Sequence, residues 1–112
     1  MIGCDVLEFD RIPKDEKFLT KILTENEKSY VEKFQQKHER IAGVFCAKEA
    51  VFKALNFDKI CHKEIEIEHT ESGRPFVVFH GETKLFFEKN YKHIDISISH
   101  SKTVAMAVCE IK

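Results

Sequence analysis

The stretch FCAKEAVFKAL, from Phe45 to Leu55, decides the fold, because it has the periodicity of a helix that begins near Glu39 and ends at Asn56. At about 100° per residue, this helix has two separate non-polar arcs. One arc is bulky and the other carries only small residues, which lets another element approach closely. We therefore expect a long helix packed on two sides. The bulky arc contains Ile41, Val44, Phe45, Val51, Phe52 and Leu55, and the small arc contains Gly43, Ala47, Ala50 and Ala54.

Lys48 lies near the centre of the bulky arc, and Cys46, Glu49 and Lys53 form a narrow polar strip between the arcs. In one interpretation, Glu49 and Lys53 form an i,i+4 pair worth about 0.2 to 0.5 kcal/mol, and Lys48 extends its ammonium to solvent. In the other, Lys48 is buried and requires a compensating anion, which a ligand could supply. A carboxylate between two lysines suits phosphate oxygens and a divalent metal ion.

A second carboxylate comes from the N-terminal segment, Met1 to Leu7, which alternates as a β-strand does. Asp5 shares the inward face of this strand with Gly3 and Leu7. Mg²⁺ typically binds one or two protein carboxylates and completes its shell with water and substrate phosphates. Asp5 and Glu49 would suit Mg²⁺ if the fold brings the strand against the helix.

The rest of the chain predicts further helices and strands, giving a single α+β domain over residues 1–112, with a largely antiparallel sheet packed against the long helix and shorter helices. Pro13 is expected to begin one helix, and a capping box of Thr24 and Glu27 to begin another, continuing through Phe34. Alternation over 64–68 predicts a strand with its isoleucines inward and its three carboxylates outward. A turn at 71–75, a strand at 76–80, a helix at 81–90 and two last strands follow, marked by Ile94, Ile96 and Ile98 and by Val104, Met106 and Val108.

Composition restricts the classes of function. Lys and Arg number 18 and Asp and Glu 19, so net charge favours neither nucleic acid nor a membrane surface as a partner. We expect a cytoplasmic protein, because the chain has no apolar run typical of a membrane span or a signal peptide. The four cysteines are widely spaced and predict reduced thiols, and no histidine pair has i,i+4 spacing for a metal site.

Three motifs in order resemble a known family. GCDVLEFDRI (3–12), AGVFCAKEAVFKAL (42–55) and ISISHS (96–101), with ESGRPFV (71–77) between the last two, resemble the holo-[acyl-carrier-protein] synthases. These are small bacterial members of the 4'-phosphopantetheinyl transferase superfamily. The resemblance implies that superfamily's fold and Mg²⁺-dependent transfer of phosphopantetheine from coenzyme A to a serine of apo-acyl carrier protein, for fatty acid synthesis. It also implies a homotrimer with active sites between neighbouring subunits.

The resemblance also implies roles for individual residues. Asp5 and Glu49 match metal ligands, and Lys53 matches a lysine beside the pyrophosphate, so that Glu49 and Lys53 are the candidate catalytic residues. Whether Glu49 acting through a water or a metal-associated water takes the serine's proton is left open. Further coenzyme A contacts are expected at Lys48, Gly73, Arg74, Pro75, His100 and Ser101, the last two near the 3'-phosphate.

Arg11 matches a residue that meets acidic side chains of the carrier protein. Lys14, Lys17 and Lys21 lie nearby at helical spacing and could extend this positive surface; in the alternative interpretation, Lys14 and Lys21 are simply solvated. Two departures from the family concern the coenzyme. Many members carry Arg at the position of Val44, where it contacts the 3'-phosphate, and many have a glycine-rich stretch after the long helix, where this chain has LNFDKICHKE.

Two other functions use the same residues. A catalytically silent module would bind a carrier protein or a nucleotide without turnover. A Mg²⁺-dependent phosphodiesterase or nuclease would use Asp5, Glu49 and Lys53 on substrates without an acceptor protein, and it would bind nucleic acid strongly, which the net charge does not favour.

Overall fold

The computed structural model describes residues 1–59 and 61–112. Over these residues, five β-strands and four α-helices follow one another, with short 3₁₀ turns at Phe9–Arg11 and His62–Glu64. The elements are β1 (Ile2–Glu8), α1 (Glu16–Ile22), α2 (Glu25–Val31), α3 (Lys37–Leu55), β2 (Ile65–His69), β3 (Pro75–Phe79), α4 (Gly81–Asn90), β4 (Ile94–His100) and β5 (Val104–Ile111).

The strands form two antiparallel sheets. One has the order β1-β5-β4, and the other is the hairpin of β2 and β3. In the larger sheet, Ala107 of β5 lies opposite Asp5 on one side and opposite Ile98 on the other. The predicted α+β class and antiparallel pairing are confirmed, although the strands are divided between two sheets.

Helix α3 packs against the larger sheet on one side and against α2 and β2 on the other, so the expected two-sided packing is confirmed. Its small arc meets β1 at Gly3, where a Cβ atom would lie 1.9 Å from the backbone oxygen of Ala50 and 2.7 Å from the backbone nitrogen of Ala54. The helix ends at Asn56, as predicted, in the left-handed conformation (φ 50°) that Asn tolerates. Within the described residues, none of the helices combines the length and apolarity needed to cross a membrane.

The outer face of β1 and β5 is apolar and exposed. Ile2 and Val6 keep 70% and 67% of their surface exposed, and Met106 and Val108 keep 46% and 39%. The inward positions of β5 carry smaller or more deeply buried side chains: Ala105, Ala107, Cys109 and Ile111. The apolar residues that predicted β5 therefore point away from the core.

Two helix boundaries differ from the prediction. Helix α1 begins at Glu16, because the side chain of Asp15 caps it by accepting a hydrogen bond from the backbone nitrogen of Lys17 at 3.0 Å. Lys14 therefore precedes the helix, while Lys17 and Lys21 lie on it. The capping box of Thr24 and Glu27 is confirmed, but α2 ends before Phe34.

The three carboxylates of the β2 segment do not all point to solvent. Glu66 is buried, accepts a hydrogen bond from the hydroxyl of Thr24 at 2.5 Å and lies 3.1 Å from Nε2 of His80. Glu64 caps α4 by accepting hydrogen bonds from the backbone nitrogen and the hydroxyl of Thr83, at 3.1 and 2.8 Å. Both carboxylates thus connect the hairpin to neighbouring elements.

The four cysteines are free thiols, as predicted. Cys46 and Cys109 are buried, whereas Cys4 and Cys61 are exposed. Cys4 lies on the exposed apolar face of β1, opposite Val108 of β5.

Candidate functional site

Lys48 is completely buried and has partners from its own chain. Its ammonium nitrogen lies 2.6 Å from Oε1 of Glu27, which is also completely buried. It also donates to the backbone oxygens of Ile22 and His62, at 2.5 and 2.9 Å. The anion that compensates Lys48 is therefore a protein carboxylate, and its ammonium does not extend to solvent.

Burial lowers the pKa of Lys48 and raises that of Glu27, and each partner's charge opposes the shift of the other. The expectation that Lys48 contacts coenzyme A is not compatible with this environment, because its ammonium has no exposed surface. Its proximity to Glu49 in sequence suggested the phosphate site. Residue 48 instead projects into the core between α1, α2 and the 3₁₀ turn at His62.

Asp5 and Lys53 are brought together by the packing of β1 on α3. Oδ1 of Asp5 lies 3.2 Å from the ammonium of Lys53, with the two side chains 19% and 57% exposed. The i,i+4 pair of Glu49 and Lys53, one of the two interpretations of the sequence, is replaced by other partners. Glu49 lies 3.1 Å from Nε2 of His62, and Lys53 pairs with Asp5.

The thiol of Cys46 lies beside these carboxylates. Burial and the negative charges of Asp5 and Glu49 raise its pKa to about 12, and its sulfur lies 3.6 Å from the backbone oxygen of Ala105. Cys46 is therefore a neutral thiol, and the donors offered to a cation are carboxylate oxygens. Among the described residues, no three His, Cys, Asp or Glu side chains form a metal-binding group. The two carboxylates of Asp5 and Glu49 are the donor type that a hard ion such as Mg²⁺ prefers, and such an ion takes its other ligands from water and phosphate.

His62 was missed by the sequence reasoning. Its ring stacks on Phe45, with centroids 5.7 Å apart and planes 12° apart, and meets Phe52 edge-on at 4.9 Å. These contacts hold Nε2 beside Glu49. The segment before β2 has no periodicity that predicts where a side chain points, so only the long-range packing identifies His62.

A separate recess of about 130 Å³ lies on another part of α3. It brings together three of the predicted coenzyme residues, Gly73, Pro75 and His100, with Val44. The remaining lining residues are Tyr30, Arg40, Gly43, His69 and Ile98.

Two glycines shape the recess. A Cβ atom on Gly43 would lie 2.7 Å from Nε2 of His100, so the absence of a side chain lets the imidazole lie against α3. Gly73 has φ +90°, a conformation that favours glycine, in the turn that leads to Pro75.

Arg74 and Ser101 lie beside this recess and do not line it. Arg74 lines a different surface groove, with Asp95 and Ser97 among its neighbours. Ser101 lies in the turn between β4 and β5, where its hydroxyl accepts a hydrogen bond from the backbone nitrogen of Thr103 at 3.4 Å.

The recess and the carboxylate site lie on different faces of α3. Val44 and Glu49 are five residues apart, which corresponds to about 140° around the helix axis and about 7.5 Å along it. Of the predicted carrier-protein residues, Arg11 ends the first 3₁₀ turn, and Lys14 and Lys17 follow it; all three are exposed.

Comparison with known proteins identifies the family. A model of the 4'-phosphopantetheinyl transferase superfamily matches residues 1–109. The chain is 42% identical over 112 residues to a holo-[acyl-carrier-protein] synthase of Caldicellulosiruptor bescii, covering 96% of this chain and 93% of the relative.

Solved structures agree with this match. The Helicobacter pylori holo-[acyl-carrier-protein] synthase in complex with coenzyme A has a TM-score of 0.86 and 30% identity, with full coverage of both chains. The Bacillus anthracis synthase, in complex with coenzyme A (3',5'-ADP), has a TM-score of 0.81 and 33% identity, covering 98% of this chain and 93% of that one. The chain therefore belongs to the 4'-phosphopantetheinyl transferase superfamily, among the holo-[acyl-carrier-protein] synthases.

Proposed function

We propose that this protein transfers 4'-phosphopantetheine from coenzyme A to a serine of apo-acyl carrier protein, producing holo-acyl carrier protein and 3',5'-ADP. The observation that carries the proposal is the pair of Asp5 and Lys53 where β1 packs on α3, with the charge of Glu49 acting on the same Cys46 thiol as theirs. Two carboxylates for a cation and one ammonium for phosphate oxygens suit a pyrophosphate substrate. The complexes of the H. pylori and B. anthracis relatives support coenzyme A as the donor.

Asp5 and Glu49 would hold Mg²⁺, which when bound offsets negative charge on the pyrophosphate oxygens. During transfer, the serine hydroxyl gives its proton to a water molecule and its oxygen forms a bond to the β-phosphorus, while the bond from that phosphorus to the bridging oxygen breaks. Lys53 is more than half exposed, so its ammonium can leave Asp5 and stabilise or protonate the departing phosphate of 3',5'-ADP. His62 keeps the Glu49 carboxylate in place through its contact at 3.1 Å.

We further propose a homotrimer in which each site is shared between neighbouring copies. The exposed apolar face of β1 and β5, containing Ile2, Val6, Met106 and Val108, would be covered by a second copy of this chain. The recess around His100 and the carboxylates would then contribute to one site from two different subunits, because they lie on different faces of α3.

Complementation tests the shared site. Asp5→Asn and His100→Ala variants, each inactive or weak alone, should regain activity when their subunits are mixed and exchanged, since some sites then have both intact halves. Light scattering should give three times the subunit mass, and Val6→Asp should lower it. A monomeric, fully active protein would contradict the shared site.

The carrier protein would dock on the positive surface of Arg11, Lys14 and Lys17. Carrier proteins of this kind are acidic, so this contact should raise the association rate at low salt. We place the reaction in fatty acid biosynthesis in the cytoplasm. Arg11→Ala should raise the KM for the carrier protein several-fold and weaken its salt dependence, with kcat little changed.

Intact-protein mass spectrometry tests the reaction itself. Apo-acyl carrier protein is incubated with the protein, coenzyme A and Mg²⁺, beside a sample with chelator. A gain of one phosphopantetheine group only without chelator is expected, and Glu49→Gln should abolish it while the exposed control Glu32→Gln should not. Binding of coenzyme A without any gain would favour the silent module. Hydrolysis of phosphodiesters without the acceptor would favour a phosphodiesterase.

A further inference from the structure

The recess around His100 has the composition of an anion site. Arg40 supplies a permanent positive charge to it, and His69 and His100 supply imidazole nitrogens. Among the described residues, no carboxylate lies within 4 Å of the Arg40 guanidinium, which is instead held 4.1 Å from the ring centroid of Phe34. A guanidinium that is partly buried and lacks a carboxylate partner is available for an anionic ligand.

His69 gives a second indication of a ligand. Its ring stacks on Tyr30, with centroids 3.9 Å apart and planes 3° apart, so its orientation is restrained. Its Nδ1 is buried and has no hydrogen-bond partner among the described residues. Burial, with the nearby charge of Arg40, lowers the pKa of His69, a residue that lines the recess and has one unused ring nitrogen.

Position 44, within the same recess, offers only an apolar side chain. Arg40 precedes Val44 by four residues on α3, so both side chains lie on the same face of the helix and both line the recess. A guanidinium from position 40 can therefore serve the space beside Val44. His100 lies against Gly43, the residue before Val44, and lines the same recess.

Resting on the proposed function, we propose that Arg40 binds the 3'-phosphate of coenzyme A, assisted by His69 and His100, and that it thereby determines the preference for coenzyme A over 3'-dephospho-coenzyme A. The chemistry is a bidentate contact between a planar guanidinium and a phosphate monoester. Arg40 is a binding residue here, remote from the bonds that change.

Steady-state transfer with the two donors tests the proposal. For the unaltered protein, kcat/KM should be higher with coenzyme A than with 3'-dephospho-coenzyme A. Arg40→Gln should lower kcat/KM for coenzyme A about 10- to 100-fold. The kcat/KM for 3'-dephospho-coenzyme A should be nearly unchanged. Adding Val44→Arg to Arg40→Gln should restore much of the preference. Lys33→Ala removes an exposed cation near α2 and is the matched control, with no change expected.

The ratio of the two donors separates binding from folding. A variant that misfolds loses activity with both donors equally. In a variant with an unchanged thermal midpoint, equal losses with both donors, or an unchanged preference, would overturn the role of Arg40. Calorimetric titration with 3',5'-ADP and with 5'-AMP gives the same comparison without turnover. The protein could show no transferase activity while Arg40→Gln still weakens the binding of 3',5'-ADP and leaves the binding of 5'-AMP unchanged. The proposed function would then fail, and the phosphate site would stand.

Discussion

The ammonium of Lys48 lies 2.6 Å from a carboxylate oxygen of Glu27, and neither side chain has surface exposed to solvent. Glu27 also accepts hydrogen bonds from the backbone nitrogens of Thr24 and Ile67, at 2.9 and 2.7 Å. One carboxylate thus connects the start of α2, the middle of α3 and strand β2. The charge on the motif's first lysine is part of the core, while Lys53, five residues later and about 140° around the helix axis, faces the candidate site.

Removing one member of this buried pair should strongly destabilise the fold. Lys48→Met is expected to lower the free energy of unfolding by about 3 to 5 kcal/mol, because Glu27 is left buried and unpaired. The double variant Lys48→Met with Glu27→Gln should recover a large part of the loss. Urea denaturation measures both. Lys37→Met, which removes an exposed pair with Glu32, is the control, and a similar loss there would contradict the argument.

Gly3→Ala should destabilise the contact between β1 and α3. The new Cβ would meet the backbone oxygen of Ala50 at 1.9 Å, so the strand must move, at a cost of about 3 kcal/mol or more. Ala50→Gly should give no rescue, because the collision is with the backbone and not with the alanine methyl group. Thermal unfolding of the single and double variants checks this, and a rescue would show that the side chain limits the approach.

Gly43→Ala should act on the recess and not on the core. Its Cβ would lie 2.7 Å from Nε2 of His100, a side chain that is exposed and able to shift. We expect a several-fold higher KM for coenzyme A with kcat and thermal stability little changed. In a double-mutant cycle with His100→Ala, the two effects should not add, because both act on the same imidazole. Additive effects would mean that Gly43 has another function.

Acid should destabilise the protein through Glu64 and Glu66. Hydrogen bonds from Thr83 hold the pKa of Glu64 below its usual 4.5. For Glu66, burial acts to raise the pKa, but hydrogen bonds from Thr24 and His80 outweigh it and the net shift is downward. The two carboxylates therefore contribute their full stabilisation above about pH 4.5. This stabilisation is lost as the pH falls through their lower pKa values in the folded protein.

Thermal midpoints between pH 6 and pH 3 measure this effect. Glu64→Gln should make the decline shallower, since one of the two carboxylates no longer titrates. Glu71→Gln changes a carboxylate in an exposed turn and should leave the slope unchanged. An identical slope for Glu64→Gln and the unaltered protein would exclude the role given to Glu64.

The cysteines should differ in their rates of alkylation. Burial raises the pKa of Cys46 and of Cys109 to about 12, so iodoacetamide at pH 8 should leave both unmodified in the folded protein. Exposed Cys61 should react. Cys4 should be protected as protein concentration rises, if the apolar face is an interface between copies. Peptide mapping gives each rate, and fast labelling of Cys46 would contradict its burial.

Local pattern predicted much of this molecule. The periodicity of residues 39–55 identified a helix with two buried arcs, because side-chain direction along a helix depends only on spacing. The capping box at Thr24 and Glu27 and the end at Asn56 are equally local. The order of the motifs also indicated the family, because that order can be seen in the linear sequence without the tertiary structure.

Which charges meet was decided only by the tertiary structure. Lys48 pairs with Glu27, Lys53 with Asp5 and Glu49 with His62, and each pair joins residues 13 or more positions apart. Packing also turned the apolar outer residues of β5 to the surface and placed Arg40 beside His69 and His100. Periodicity reports the environment of each residue within its own element. Partners across elements depend on how those elements pack, and hydrogen bonds and ion pairs act only over a few ångströms.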